Sequence, residues 1–141
     1  MKLYFASPFF NPEQVEREER LKAKLRRLGF EVWSPKENSI CPPTANKQTR
    51  AEVFKDNVQN ILNSDAVFVV TNGKDMGTIF EAGLAYQANK PIIYYCEGLN
   101  GPFNLMLAES GQLVLTNDDF DAPMIIDAIL GTTTDFKGEI E

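Results

Sequence analysis

Histidine is absent from the 141 residues, which removes the one side chain whose unperturbed pKa lies near neutrality. Ser-His-Asp and Cys-His activation of a nucleophile, His-bearing zinc sites and His proton shuttles are all excluded. Cysteine is scarce. Cys41 and Cys96 are too few and too far apart for a disulfide framework or a clustered metal site, and read as free thiols of a reducing compartment. Basic charge is in deficit, with 14 Lys plus Arg against 20 Asp plus Glu and a net charge of −6. The chain therefore lacks the basic stripe that replaces counterions along a nucleic acid. Long apolar runs are missing as well. The opening MKLYFASPFF meets Asn11 and Pro12 before reaching signal-peptide length, and no stretch approaches the ~18 apolar residues of a membrane helix. A soluble cytoplasmic protein is expected. Phosphate-cradling loops are also lacking: there is no Walker A sequence and no G-x-G-x-x-G.

What remains is a chain long enough for one domain and, at 43% hydrophobic residues, able to bury a core. Leu3 to Ala6 is a compact apolar run closed by Ser7-Pro8 and reads as a buried first strand. Asn11-Pro12-Glu13 opens a helix that runs to Leu28 and stops at Gly29. Phe30 to Trp33 is a second strand. Residues 35–47 hold three Pro and no period, which predicts a loop. Gln48 to Leu62 has helical spacing, and Ala66 to Val70, AVFVV, is the strongest β-branched run, a central strand buried on both faces. Gly73 to Gly77 is expected as a loop, Thr78 to Ala88 as a helix and Pro91 to Tyr95 as a fourth strand. A short helix over 105–108, a short strand over 113–115 and a last helix from Asp118-Asp119 to Leu130 follow. Strands alternating with helices predict an α/β fold, a flavodoxin-like doubly wound sandwich with a five-stranded parallel sheet in the order 2-1-3-4-5. Residues 1–131 form the single domain and 132–141 a C-terminal tail.

In that order, ligands bind at the carboxyl ends of strands one and three. The turn after strand one, Ser7-Pro8-Phe9-Phe10, offers few backbone N–H groups to a phosphate and instead suits an apolar wall for a flat ring. The groups left to carry chemistry are carboxylates, hydroxyls and amides. Asp75 and Glu81 lie six residues apart at the switch point, and Glu81 is flanked by Ile79, Phe80, Ala82, Leu84 and Ala85. A carboxylate in such surroundings must be hydrogen-bonded, as by Tyr4, or shifted in pKa. The same residues also permit a plain structural reading, with Glu81 a partly exposed helix residue and Asp75 a cap.

Four pieces in order, K-L-Y-F-A-S-P-F-F, S-D-A-V-F-V-V, D-M-G-T-I-F-E-A-G-L-A and G-P-F-N-L-M-L, resemble the nucleoside 2-deoxyribosyltransferases. The resemblance covers strand one and residues 48–108, about half of the chain. It implies transfer of 2-deoxyribose between purine or pyrimidine nucleobases, with Glu81 as nucleophile, Asp75 in contact with the base and Tyr4 orienting Glu81. It further implies that Asn104, which binds the sugar 5′-hydroxyl, and Met106 complete a neighbouring subunit's site, and hence a homo-oligomer. Gly77 belongs to the substrate-binding motif, and Phe9, Phe10 and Met106 are the expected apolar walls. A second base-contacting Asp of some members falls on Asn57 here, with Asp56 adjacent. Asn57 can hold a base by hydrogen bonds but cannot give it a proton, which leaves Asp75 as the donor. The family's C-terminal carboxylate role has no aromatic counterpart at Ile140-Glu141 and is not carried over.

The implied partners are nucleosides and free nucleobases, which the acidic balance does not repel. Two carboxylates and a Tyr suffice for a retaining double displacement through a deoxyribosyl ester, so neither metal nor cofactor is expected. Two alternatives share the scaffold. One is a 2-deoxynucleoside or 5′-monophosphate N-glycosidase that hydrolyses the same bond, and the other is a non-catalytic nucleotide-binding domain.

Overall fold

A computed structural model describes residues 1–141. The elements run β1 Lys2–Ala6, α1 Pro12–Arg27, β2 Glu31–Trp33, α2 Pro35–Asn38, α3 Lys47–Leu62, β3 Ala66–Val70, α4 Met76–Gln87, β4 Ile92–Tyr95, α5 Leu105–Ser110, β5 Leu113–Leu115 and α6 Ala122–Ile129. All five strands pair in parallel in the order β2-β1-β3-β4-β5, as the alternating pattern predicts. No helix is long and apolar enough to cross a membrane.

Because side chains alternate across a strand, each strand feeds two cores. Leu3, Phe5, Phe68, Val70, Ile93 and Tyr95 face Leu21, Leu25 and Ile125 of α1 and α6. Tyr4, Ala6, Val67, Val69, Ile92 and Tyr94 face Ile61, Ala82 and Ala85 of α3 and α4. All five residues of β3 are buried, which accounts for its unbroken apolar sequence. On the α3–α4 side the small Ala82 and Ala85 bring α4 close to the sheet, and Tyr4 is held there by stacking on Trp33 with ring centroids 5.3 Å apart.

Most element ends fall within one residue of the sequence expectation, α5 runs two residues further, to Ser110, and at three places a polar side chain that binds backbone moves the boundary. The Pro-rich stretch contains a helical turn at Pro35–Asn38, in which Pro35 occupies the first position and the Asn38 side chain donates to the Ser34 carbonyl at 2.9 Å. Helix α4 begins at Met76, two residues early, because Asp75 caps it; Gly77 therefore lies in the first helical turn rather than in a loop. Helix α6 begins only at Ala122, capped by Asp121, while Asp118 is engaged by Arg20 and Tyr95.

Helix α1 carries a buried ion pair. Glu18 and Lys22, 1% and 2% exposed, meet at 2.8 Å, and the Ser34 hydroxyl donates to Glu18 at 3.0 Å. Removing one partner strands the other charge in a dry site. Lys22→Ala is expected to cost about 3 kcal/mol in urea unfolding, and the double replacement Glu18→Leu/Lys22→Met much less. Equal losses in the two variants would argue against this account.

Candidate active site

Strand β1 and helix α4 meet over Tyr4 and Glu81. The Tyr4 hydroxyl, rooted in a fully buried ring, donates to Glu81 Oε2, while Oε1 has no protein partner. Glu81 is half-buried on the edge of the α4 face that packs on the sheet. Burial pushes its carboxyl up from the usual 4.5 to about 7; the Tyr4 hydrogen bond pulls the other way, and the charge of Asp75 adds to the rise. Both conditions that an apolar setting imposes on this carboxylate, a hydrogen bond and a shifted pKa, are met. The Tyr4 phenol is itself driven far above its ordinary range, first by burial and then by the carboxylate of Glu81, so it remains a donor.

Asp75 caps α4. Its Oδ2 accepts from the Thr78 amide at 2.8 Å and the Thr78 hydroxyl at 2.9 Å, leaving Oδ1 without a protein partner. The only signal of Thr78 in the sequence is the helix-start pattern of an Asp followed three residues later by a hydrogen-bonding side chain.

Glu81 opens onto a cleft of about 180 Å³ between α3 and α4, lined by Phe54, Asn57, Val58, Ile61, Gly77, Phe80 and Leu84. Of the two adjacent candidates on α3, Asn57 lines the cleft, whereas Asp56 is exposed and bonded to the Ser39 hydroxyl at 3.1 Å. Asn57 Oδ1 is the one buried side-chain polar atom in the chain with no hydrogen-bond partner. A buried acceptor left unpaired costs about 1–3 kcal/mol, and this one lines the same cleft as Glu81. The walls supplied by Phe54 and Phe80, whose centroids are 6.2 Å apart, had no distinctive sequence signal, since apolar residues at helical spacing are usually core.

The remaining expected residues lie elsewhere in the chain. Phe9 and Phe10 stack on each other at 5.3 Å beyond β1 and border no part of this cleft; Phe10 is 72% exposed. Asn104 caps α5, its Oδ1 accepting from Leu107 N–H at 3.2 Å, and Met106 is 74% exposed. Both line a second cavity of about 740 Å³ between the β3–α4 and β4–α5 loops, which contains none of Tyr4, Asn57, Asp75 and Glu81. Residues 139–141 return to this cavity and bond the backbone of Phe103 and Leu105 on either side of Asn104.

A family profile described as nucleoside 2-deoxyribosyltransferase matches residues 3–123. The chain belongs to the nucleoside 2-deoxyribosyltransferase family. Among solved structures it is similar to the 2-deoxyribosyltransferase of the psychrotolerant bacterium Bacillus psychrosaccharolyticus, with 30% identity over 89% of this chain and 96% of that one and a TM-score of 0.77. The fold is shared more distantly with a conserved protein from Enterococcus faecalis, at 20% identity, 100% and 90% coverage and TM-score 0.60. It is shared also with a CMP N-glycosidase of Clostridium botulinum, at 16% identity, 84% and 91% coverage and TM-score 0.60. No curated protein matches at a significant level. Membership in the deoxyribosyltransferase family makes the chain a glycosyl-transferring enzyme.

Proposed function

We propose that this deoxyribosyltransferase family member exchanges nucleobases on 2-deoxyribose through a covalent ester on Glu81. The observation that carries the reading is the Tyr4–Glu81 pair opening on a cleft that also holds an unpaired buried acceptor, Asn57 Oδ1. Tyr4 fixes Oε2 and leaves Oε1 to attack C1′. With Glu81 ionised and a proton on Asp75 Oδ1 in the substrate complex, the C1′–N bond breaks with its electron pair passing to the base, which takes that proton on a ring nitrogen, and the C1′–Oε1 bond forms. Both steps pass through an oxocarbenium-like state that the carboxylate stabilises. An incoming base reverses the sequence, attacking C1′ and returning the proton to Asp75. Asn57 holds the base by hydrogen bonds, and Gly77, Phe54 and Phe80 border the space it enters. Keeping water from the ester favours transfer over hydrolysis, and apolar walls serve that end.

The separation of Asn104 and Met106 from Glu81 supports a site completed between subunits. Asn104 keeps its Nδ2 free to meet a 5′-hydroxyl, and Met76, Phe80 and Met106 are exposed apolar side chains suited to a contact between copies. Phe9 and Phe10 stand beyond β1 as further walls of that assembled site. Incubation with deoxyinosine and adenine is expected to yield deoxyadenosine and hypoxanthine. Release of free deoxyribose alone would reject transfer in favour of hydrolysis, and nucleoside binding without turnover would reject both.

A further inference from the structure

Asn72, the second residue past β3, bonds the backbone of a residue 25 positions away. Its Nδ2 donates to the Glu97 carbonyl at 3.0 Å and its Oδ1 accepts from the Glu97 N–H at 2.7 Å. The reason lies in the sheet. Thr71 N–H still bonds the Tyr95 carbonyl at 2.9 Å as the β3–β4 ladder runs out, and in a continuing parallel ladder the Thr71 carbonyl would accept from Glu97 N–H. That carbonyl is instead taken by Lys74 N–H at 3.0 Å, as the chain turns through Gly73 and Lys74, both at positive φ. The Asn72 side-chain amide, which has the donor and acceptor of a peptide group, replaces it.

Glu97 is in turn bonded at both carboxylate oxygens. Arg17, 5% exposed, bonds its Oε2 at 3.0 Å, and Arg20 and Tyr95 bond Oε1. On the other flank of the turn, a side chain at Gly73 would come within 2.8 Å of Gln14 Nε2, and Gln14 Oε1 accepts from Phe10 N–H at 2.8 Å. The turn that ends in Asp75 is thereby wedged between α1 and the start of the β4–α5 loop.

We propose that Asn72 is a positioning residue that sets the place of Asp75 through its clamp on Glu97. The proposal rests on the assignment of Asp75 to the leaving base. Both ends of the Asn72 amide are spent on Glu97, so its contribution passes through the turn, and a displacement of about 1 Å at a reacting group can cost up to ~100-fold in rate.

Asn72→Ala is expected to lower kcat by about 10- to 100-fold with a much smaller change in KM. Asn72→Asp, which keeps the acceptor and loses the donor, is expected to recover part of the loss. In an Asp75→Ala background the same Asn72→Ala change is expected to cost less than about twofold, because the group it positions is gone. An equal loss in both backgrounds, or a lowered Tm with unchanged kcat, would overturn the proposal. Hydrogen exchange at the Glu97 amide reads the clamp without turnover: protected in the wild type, it is expected to exchange freely in Asn72→Ala, and unchanged protection would overturn the clamp. A wild type that exchanges no bases refutes the reading of Asp75 and leaves the amide result standing.

Discussion

Glu81→Gln is expected to lose base exchange by about 10⁴-fold or more, the scale on which removal of a covalent nucleophile acts, and to gain stability at high pH. Gln retains a carbonyl oxygen that can accept from Tyr4 but cannot form the ester. The stability effect follows from the raised carboxyl. Its value is about 7 in the folded chain against 4.5 unfolded, so the protonated form is favoured by folding, and the stability it lends is full below 4.5 and lost as pH rises through about 7. Above that range the wild type carries an ionised carboxylate in a half-buried place. A neutral amide avoids this, which is worth about 1–2 kcal/mol after allowance for solvent reaching the group. Urea unfolding at about pH 9 is expected to show Glu81→Gln the more stable, with the gap closing toward about pH 4. A gap that does not change with pH would contradict the assignment of strain to Glu81. Loss of activity accompanied by gained stability is what a residue kept for chemistry produces.

Tyr4→Phe is expected to reduce kcat/KM about 10- to 100-fold near neutrality, the range of one hydrogen bond to a charged group. Its pH profile is the more telling result. The Tyr4 hydroxyl lowers the Glu81 carboxyl toward about 7 against the pull of burial, so its removal moves the acid limb of kcat/KM upward. The deficit is then expected to shrink in alkaline buffer as Glu81 ionises. Tyr4 also packs on Trp33 within the α3–α4 core, and Phe preserves that packing. A profile that keeps its limb near pH 7 and falls evenly at every pH would assign Tyr4 to packing alone.

Much of this arrangement is legible in the residues. The unbroken AVFVV demanded a strand covered on both faces, and alternation along β1 set Tyr4 on the opposite face from Leu3 and Phe5. A carboxylate in the middle of Ile79–Ala85 could persist only with a donor or a raised pKa, and Glu81 has both. Boundaries were less visible, because they turn on single side chains choosing among backbone partners. Asp75 and Asp121 cap helices by reaching N–H groups three residues ahead, while Asp118, equally plausible as a cap, is taken by Arg20 and Tyr95 from distant parts of the chain. Long-range pairings of that kind leave no local pattern. The same holds for Asn72 and Glu97, and for the orphaned Asn57 Oδ1, which has meaning only once α3 and α4 are packed. The division of Asn104 and Met106 from Glu81 into separate cavities is likewise visible only in the folded chain.

The covalent ester is the claim on which the rest depends. Protein mixed with a 2-deoxynucleoside in the absence of acceptor base, quenched in acid within the first turnovers and mapped by peptide mass spectrometry, is expected to carry one dehydrated deoxyribosyl unit on the peptide containing Glu81. The adduct should vanish when a nucleobase is added before the quench. An enzyme caught turning over with that peptide unmodified, or modified on another residue, would contradict the account.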